Sequence, residues 1–286
     1  MRQDEQFIMS PKVDFAFKLI FGDEKNKDLL ADLLSKVLRI DKDQFYEMKL
    51  VNVELPKEFQ EDKKGILDIR VKTKDKKHID IEIQVIPHQY MPERSLFYWS
   101  KMYVNQIKSG YTYDCLQKCI AINIVDFNCI PGDKYHTSFH ITEDETKYQL
   151  TDRLEIHFLE LSKVSEHEET EDPAKNRVEF PNASTRGQME MIAKQDPHIK
   201  RAYDILEVAS KDEKARLAYE ARQAAIMDQL TREKSAKQEG IQQGIQQGKK
   251  ETQVEIARAL IDILDDEMIA LKTGLSIEEV KKLRQK

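Results

Sequence analysis

Two stretches of the chain alternate apolar and polar residues at every second position, the period of a strand with one buried face. In residues 66–73 (ILDIRVKT), Leu67, Ile69 and Val71 fall on one side and Asp68, Arg70 and Lys72 on the other. In residues 78–86 (HIDIEIQVI), Ile79, Ile81, Ile83 and Val85 alternate with Asp80, Glu82 and Gln84. A short polar link around KDKK makes the two a hairpin. Upstream, residues 14–21 and 26–38 carry apolar side chains at helical spacing, with Gly22 between them. Phe17, Ile20 and Phe21 line the first helix, and Leu29, Leu30, Leu33, Leu34, Val37 and Leu38 the second. Residues 45–55 read as a strand in which Val51, Val53 and Leu55 alternate up to Pro56. Downstream come a helix over 93–108, a fully apolar strand over 119–126, and further apolar segments at 136–142 and 154–161. The order predicts an α/β fold, a mixed sheet covered by helices.

From about residue 184 the pattern turns helical throughout, rich in Ala, Glu, Lys and Leu. The acidic stretch 165–177 marks a boundary, giving an α/β domain over 1–165 and an α-helical C-terminal region over 166–286. Within that region EGIQQGIQQGKK spaces Gly240, Gly244 and Gly248 four apart on one helical stripe beside Ile241 and Ile245. Each glycine inside a helix costs on the order of 1 kcal/mol relative to alanine. The stripe therefore predicts close approach of a second helix, as in a homodimer, or a deliberately weak helix. Gln in the spacers argues against a membrane-embedded version. The tail reads as two short helices around Thr273-Gly274, with Ser276 as an N-cap.

Composition narrows the partners. The 286 residues are 34% charged and 40% hydrophobic with a net charge of −6, and no run is long and apolar enough to cross a bilayer. That acidity argues mildly against a protein that coats DNA, and leaves room for one that holds a metal beside a local basic surface. Three cysteines, Cys115, Cys119 and Cys129, form no CxxC pair. With no secretory pattern at the N-terminus, the expected compartment is a reducing cytoplasm.

The hairpin carries the candidate chemistry. Matching its apolar faces pairs residues of like parity, since opposed residues share a face. A loop at 74–76 sets Asp68 opposite Glu82; a loop at 75–77 sets Asp68 opposite Gln84, with Glu82 on the diagonal. Either brings Asp68, Glu82 and Gln84 together. Opposed carboxylates repel, and a divalent cation removes the penalty. The alternative is a solvated polar face on an edge hairpin. On the helix 93–108, Arg94, Tyr98, Lys101 and Asn105 recur as a polar stripe and Leu96, Trp99, Tyr103 and Ile107 as an apolar one. The run Arg70, Lys72, Lys74, Lys76 and Lys77 adds a positive field. If 136–142 is extended, His136 and His140 share a strand face, but no third ligand has metal spacing. No phosphate-binding glycine loop, nucleophile elbow or dinucleotide fingerprint is present.

Asp68 followed by Glu82-x-Gln84 on adjacent strands after two helices resembles the PD-(D/E)XK nuclease superfamily. More narrowly, DFAFKLIFG (14–22), LDIRVKT (67–73), DIEIQV (80–85), ERSLFYWSKMYVNQIKSGYTY (93–113) and the glycine-spaced helix with IALKTGLSIEEV resemble the bacterial recombination-promoting nuclease and transposase family. The resemblance implies a restriction-endonuclease-like sheet and a DNA endonuclease dependent on Mg²⁺ or Mn²⁺, linked to recombination or mobile elements. It implies Asp68 and Glu82 as metal-binding acids, with Asp14 as a further acid. Gln84 stands where the wider superfamily has Lys, and can orient a water but not take a proton. Arg70, Lys72, Arg94 and Tyr98 are the expected contacts to DNA phosphate. The competing expectation is a non-cleaving DNA-binding or assembly protein on the same fold.

Overall fold

Every residue of Cys119–Val125 is buried, as a strand covered on both faces must be. The computed structural model describes residues 7–51, 69–164 and 175–285. Among these, six strands form one sheet: β1 (Lys49–Leu50), β2 (Ile69–Lys72), β3 (His78–Gln84), β4 (Cys119–Val125), β5 (His136–Phe139) and β6 (Leu154–Glu160). Their order is β1-β2-β3-β4-β6-β5. The pairs β3/β4 and β4/β6 are parallel, and the pairs β1/β2, β2/β3 and β5/β6 antiparallel. A parallel pair needs a crossover, and the helix α3 (Met91–Val104) lies in the one between β3 and β4.

One face of the sheet is built from Cys119, Ala121 and Val125 of β4 with Leu154, Ile156 and Phe158 of β6. Met91, Trp99 and Met102 of α3 pack into it. Two polar contacts fix the helix there: the Trp99 indole donates to the Cys119 carbonyl at 2.8 Å, and the Asn123 amide donates to Ser95 Oγ at 2.8 Å. The alternate residues Ile79, Ile81, Ile120 and Ile122 are buried too. At about 1.5–3 kcal/mol for each fully buried aliphatic side chain, they are the main attraction holding the central strands. The helices α1 (Asp14–Phe21) and α2 (Lys27–Leu38) precede the sheet, and α1 packs against β3.

After the sheet come α4 (Lys175–Asn182), α5 (Arg186–Ala193), α6 (Pro197–Lys211) and the 48-residue α7 (Glu213–Leu260). Asp196 caps α6 by accepting from the His198 and Ile199 amides. The helices α6 and α7 return to the N-terminal ones. Met9 N donates to Ser210 Oγ at 2.9 Å, Ser10 N to the Tyr219 hydroxyl at 3.0 Å, and Arg177 joins Asp32 and Asp196. Packing divides the chain into two compact units, Met1–Ile226 and Met227–Lys286. In the second, α8 (Asp266–Thr273) and α9 (Ile277–Arg284) bury Ile269, Leu275 and Val280 with Ala257 of α7. Gly274 ends α8 at φ 74°, and Ser276 with Glu279 forms the capping box of α9. No helix among the described residues is long and apolar enough to cross a membrane.

Several boundaries differ from those the alternation predicts. The helix expected over 93–108 starts earlier, at Met91 with Pro92 in its first turn, and ends at Val104. The strand expected over 136–142 stops at Phe139, leaving one isolated bridge between Thr142 and Gln149. Within the strand expected over 45–55, Lys49–Leu50 pairs with β2 among the described residues; residues 52–68 lie outside the described part.

Candidate active site

The hairpin of β2 and β3 pairs Ile69 with Ile81, Arg70 with Asp80, Val71 with Ile79 and Lys72 with His78. This register belongs to the loop at 74–76. Lys76 closes the loop in the left-handed region at φ 67°, as the last residue of a three-residue hairpin loop requires. Thr73 anchors it by exchanging backbone bonds with Lys76 and Lys77 at 3.0 Å. Asp68 lies outside the described residues.

The polar face of β3 is not solvated. Asp80 is 8% and Glu82 9% exposed, because β3 is an interior strand and α3 covers this face. Each acid meets an arginine: Arg70 Nε donates to Asp80 Oδ1 at 2.7 Å, and Arg94 Nη2 to Glu82 Oε1 at 2.7 Å. The Arg94 guanidinium also lies over the Tyr98 ring, 5.0 Å from its centroid. Burial pushes the Asp80 carboxyl above the usual range; Arg70 pulls it back down and neighbouring Glu82 pushes it further up. Buried charge of this kind persists only where it is paired. Gln84 closes the strand, its side-chain amide donating to the Ile86 carbonyl at 3.1 Å. The Gln84 carbonyl accepts from Asp126 N at 3.0 Å, and the Asp126 carboxylate holds Lys12 at 3.0 Å.

The expected site residues thus fall into two groups. Glu82, Gln84, Arg70, Arg94 and Tyr98 share the region between β2, β3 and α3. Arg70 and Arg94 are turned onto acids, and Tyr98 is buried beneath Arg94. Leu96, expected on the apolar stripe of α3, is 49% exposed, and Tyr98, expected on the polar one, only 8%. The reason is that α3 lies over an acid-bearing strand, so its charged residue faces inward. Lys72 is exposed; Lys74 pairs with Glu47 and Lys77 with Asp75, which offsets part of the basic run. Asp14 stands apart, taken up by Arg222 of α7, whose Nε lies 2.8 and 2.7 Å from its two oxygens. Asp80 and Asn123 were not singled out from sequence, although alternation does put Asp80 on the face of Glu82.

A second polar cluster sits at the other edge of the sheet. His136 Nε2 is 2.9 Å from His157 Nδ1, His157 Nε2 is 2.7 Å from Glu155 Oε1, and Lys118 joins the other Glu155 oxygen. Burial would raise the Glu155 carboxyl, but the bonds from His157 and Lys118 outweigh it and hold the group at about 2. An ionised Glu155 makes His157 Nε2 the donor. Among the described residues no three His, Cys, Asp or Glu converge as a metal site. Burial pushes the Cys119 thiol to about 12 and Cys129 to about 11, which removes both as nucleophiles at neutral pH.

A family model described as PD-(D/E)XK nuclease family transposase matches residues 11–236. No curated protein and no solved structure matches the chain.

Proposed function

We propose that this chain, which belongs to the PD-(D/E)XK nuclease family transposases, is a metal-dependent DNA endonuclease with Glu82 and Asp68 as its acids. The observation that carries the reading is Glu82, a carboxylate kept on an interior strand, where an ionised group costs desolvation even when an arginine pairs with it. The register of β2 with β3 is the one that belongs to the loop at 74–76, with Ile69 opposite Ile81. Carboxylate oxygens are the donors that Mg²⁺ or Mn²⁺ takes, one or two at a time beside water and phosphate, so the donor chemistry of this face fits such an ion. Bound there, the ion would polarise a phosphodiester and lower the pKa of a coordinated water.

The residues of the chain do the rest. Glu82 and Asp68 would hold the ion. The Gln84 amide can orient a water by hydrogen bonds without accepting its proton. Arg94, stacked on Tyr98, is placed to exchange Glu82 for a phosphate oxygen, with Arg70 and Lys72 of the hairpin as further contacts to the backbone. Asp14, bidentate with Arg222, stands outside the donor set we propose. The link to recombination or mobile elements, and self-association through the C-terminal helices, belong to the same proposal. Nicking of supercoiled plasmid with and without Mg²⁺ tests it. Glu82→Ala and Asp68→Ala should each abolish cleavage, and full activity in both would remove the assignment.

A second reading, DNA binding without cleavage, is favoured by one observation: both described acids on this face are already matched by arginines. Titration calorimetry with Mn²⁺ separates the two, since binding heat that disappears in Glu82→Ala belongs to the nuclease alone.

A further inference from the structure

The acids on one face of β3 are matched by arginines from two different neighbours. Arg70 of β2 holds Asp80 and Arg94 of α3 holds Glu82, each at 2.7 Å. All four side chains are at most 16% exposed, so little water screens the pairs. Only the second pair occupies a donor of the proposed site. For an ion to reach the bonded oxygen of Glu82, the Arg94 guanidinium must let go. It cannot shed its charge, because arginine stays protonated across the working range. Nor is it loose, since it lies against the Tyr98 ring, 5.0 Å from its centroid.

Charge decides what can replace it. The two acids and two arginines of this network cancel. A divalent ion added alone would leave its whole charge in excess, at a place where unmatched charge is costly. Asp68, the further acid of the proposed site, would halve that excess, and one phosphodiester removes the rest. Its unesterified oxygens can be shared between the guanidinium, as a charge-assisted hydrogen bond, and the ion. Carboxylate, water and phosphate together are the ordinary shell of such an ion. We propose that Arg94 is a latch on Glu82 which a DNA phosphate opens, so that ion and DNA enter the site together. The proposal rests on the nuclease reading and gives that site its regulation: without DNA the chain holds ions weakly. The effect is mutual, since whatever factor DNA adds to ion affinity the ion adds to DNA affinity.

Mn²⁺ titration of the full-length chain, followed by loss of the paramagnetic resonance signal of the free ion, tests this without relying on cleavage. It is run with and without a duplex oligonucleotide whose integrity is checked on a gel, and the ions taken up by the oligonucleotide alone are subtracted. The oligonucleotide should tighten Mn²⁺ binding by about tenfold, within the ordinary range of coupling between two sites. Arg94→Gln should bind Mn²⁺ without DNA as tightly as the parent does with it, and the oligonucleotide should then add little. The parent titrations stand by themselves, whether or not the variant folds. Equal parental affinity with and without the oligonucleotide overturns the proposal. So does a folded Arg94→Gln chain in which the oligonucleotide tightens binding as strongly as in the parent. Glu82→Gln separates this proposal from the reading it rests on. Mn²⁺ binding that persists undiminished in that variant sinks both, while binding that vanishes there yet ignores DNA in the parent sinks the latch alone.

Discussion

Two arginines decide the electrostatics at the scale of single residues. Removing Arg94 leaves Glu82 buried without its partner, which costs about 3 kcal/mol where a buried pair is broken. If an ion binds Glu82, it should repair part of that loss. Mg²⁺ should therefore raise the melting temperature of Arg94→Ala more than that of the parent, by mass action on the folded state. Equal shifts in thermal melts would show that arginine and ion do not compete for this acid. Glu155 offers a second test, in pH. Its folded pKa of about 2 lies below the ordinary 4.5. Its contribution is complete above about pH 4.5 and is lost as the pH falls toward 2. Lys118→Met removes one of the groups that depress it, so the acid-unfolding midpoint followed by circular dichroism should move to higher pH. An unmoved midpoint would mean that His157 alone sets the carboxyl.

Elements show where the sequence was legible and where it stopped. Alternation in 66–73 and 78–86 identified the hairpin, its faces and two registers, because period two is a property of the strand alone. Choosing between the registers needed the turn, where Lys76 accepts a left-handed conformation at a residue that gives no glycine signal. The stripes of α3 were read the wrong way round at Leu96 and Tyr98, since helical period tells which residues share a side and not what that side covers. His157 and Arg222 were invisible as partners of His136 and Asp14, because those contacts join strands and helices distant in sequence. The glycine stripe is a different case. A Cβ at Gly240, Gly244 or Gly248 meets nothing within 4 Å, so the single chain gives these glycines no packing role. Replacing all three by alanine should stiffen α7 by up to about 1 kcal/mol per site, seen as slower amide exchange over 236–252. If the stripe instead serves close approach of a second copy, the same variant should lose mass in light scattering.

At the scale of the whole molecule, the helices after the sheet complete the first unit. Met9, Ser10 and Asp14 take their partners from Ser210, Tyr219 and Arg222, so the N-terminal segment is held by residues some two hundred positions later. A chain ended after residue 211 keeps every described strand and α1 to α6 but lacks Tyr219 and Arg222. It should be recovered largely insoluble, while one ended after residue 236, where the family match stops, should stay soluble. Equal recovery of the two in a sedimentation assay would show that Asp14 tolerates burial without Arg222. The spacing of these ion pairs also has a consequence for synthesis. Asp80 and Glu82 find their arginines 10 and 12 residues away, within one short stretch of emerging chain. Asp14 must wait 208 residues for Arg222. On the ribosome the acids of the hairpin can therefore be neutralised almost as soon as they are made, while α1 carries an unmatched charge until most of the protein has been translated. Its final docking is one of the last events in the making of the chain.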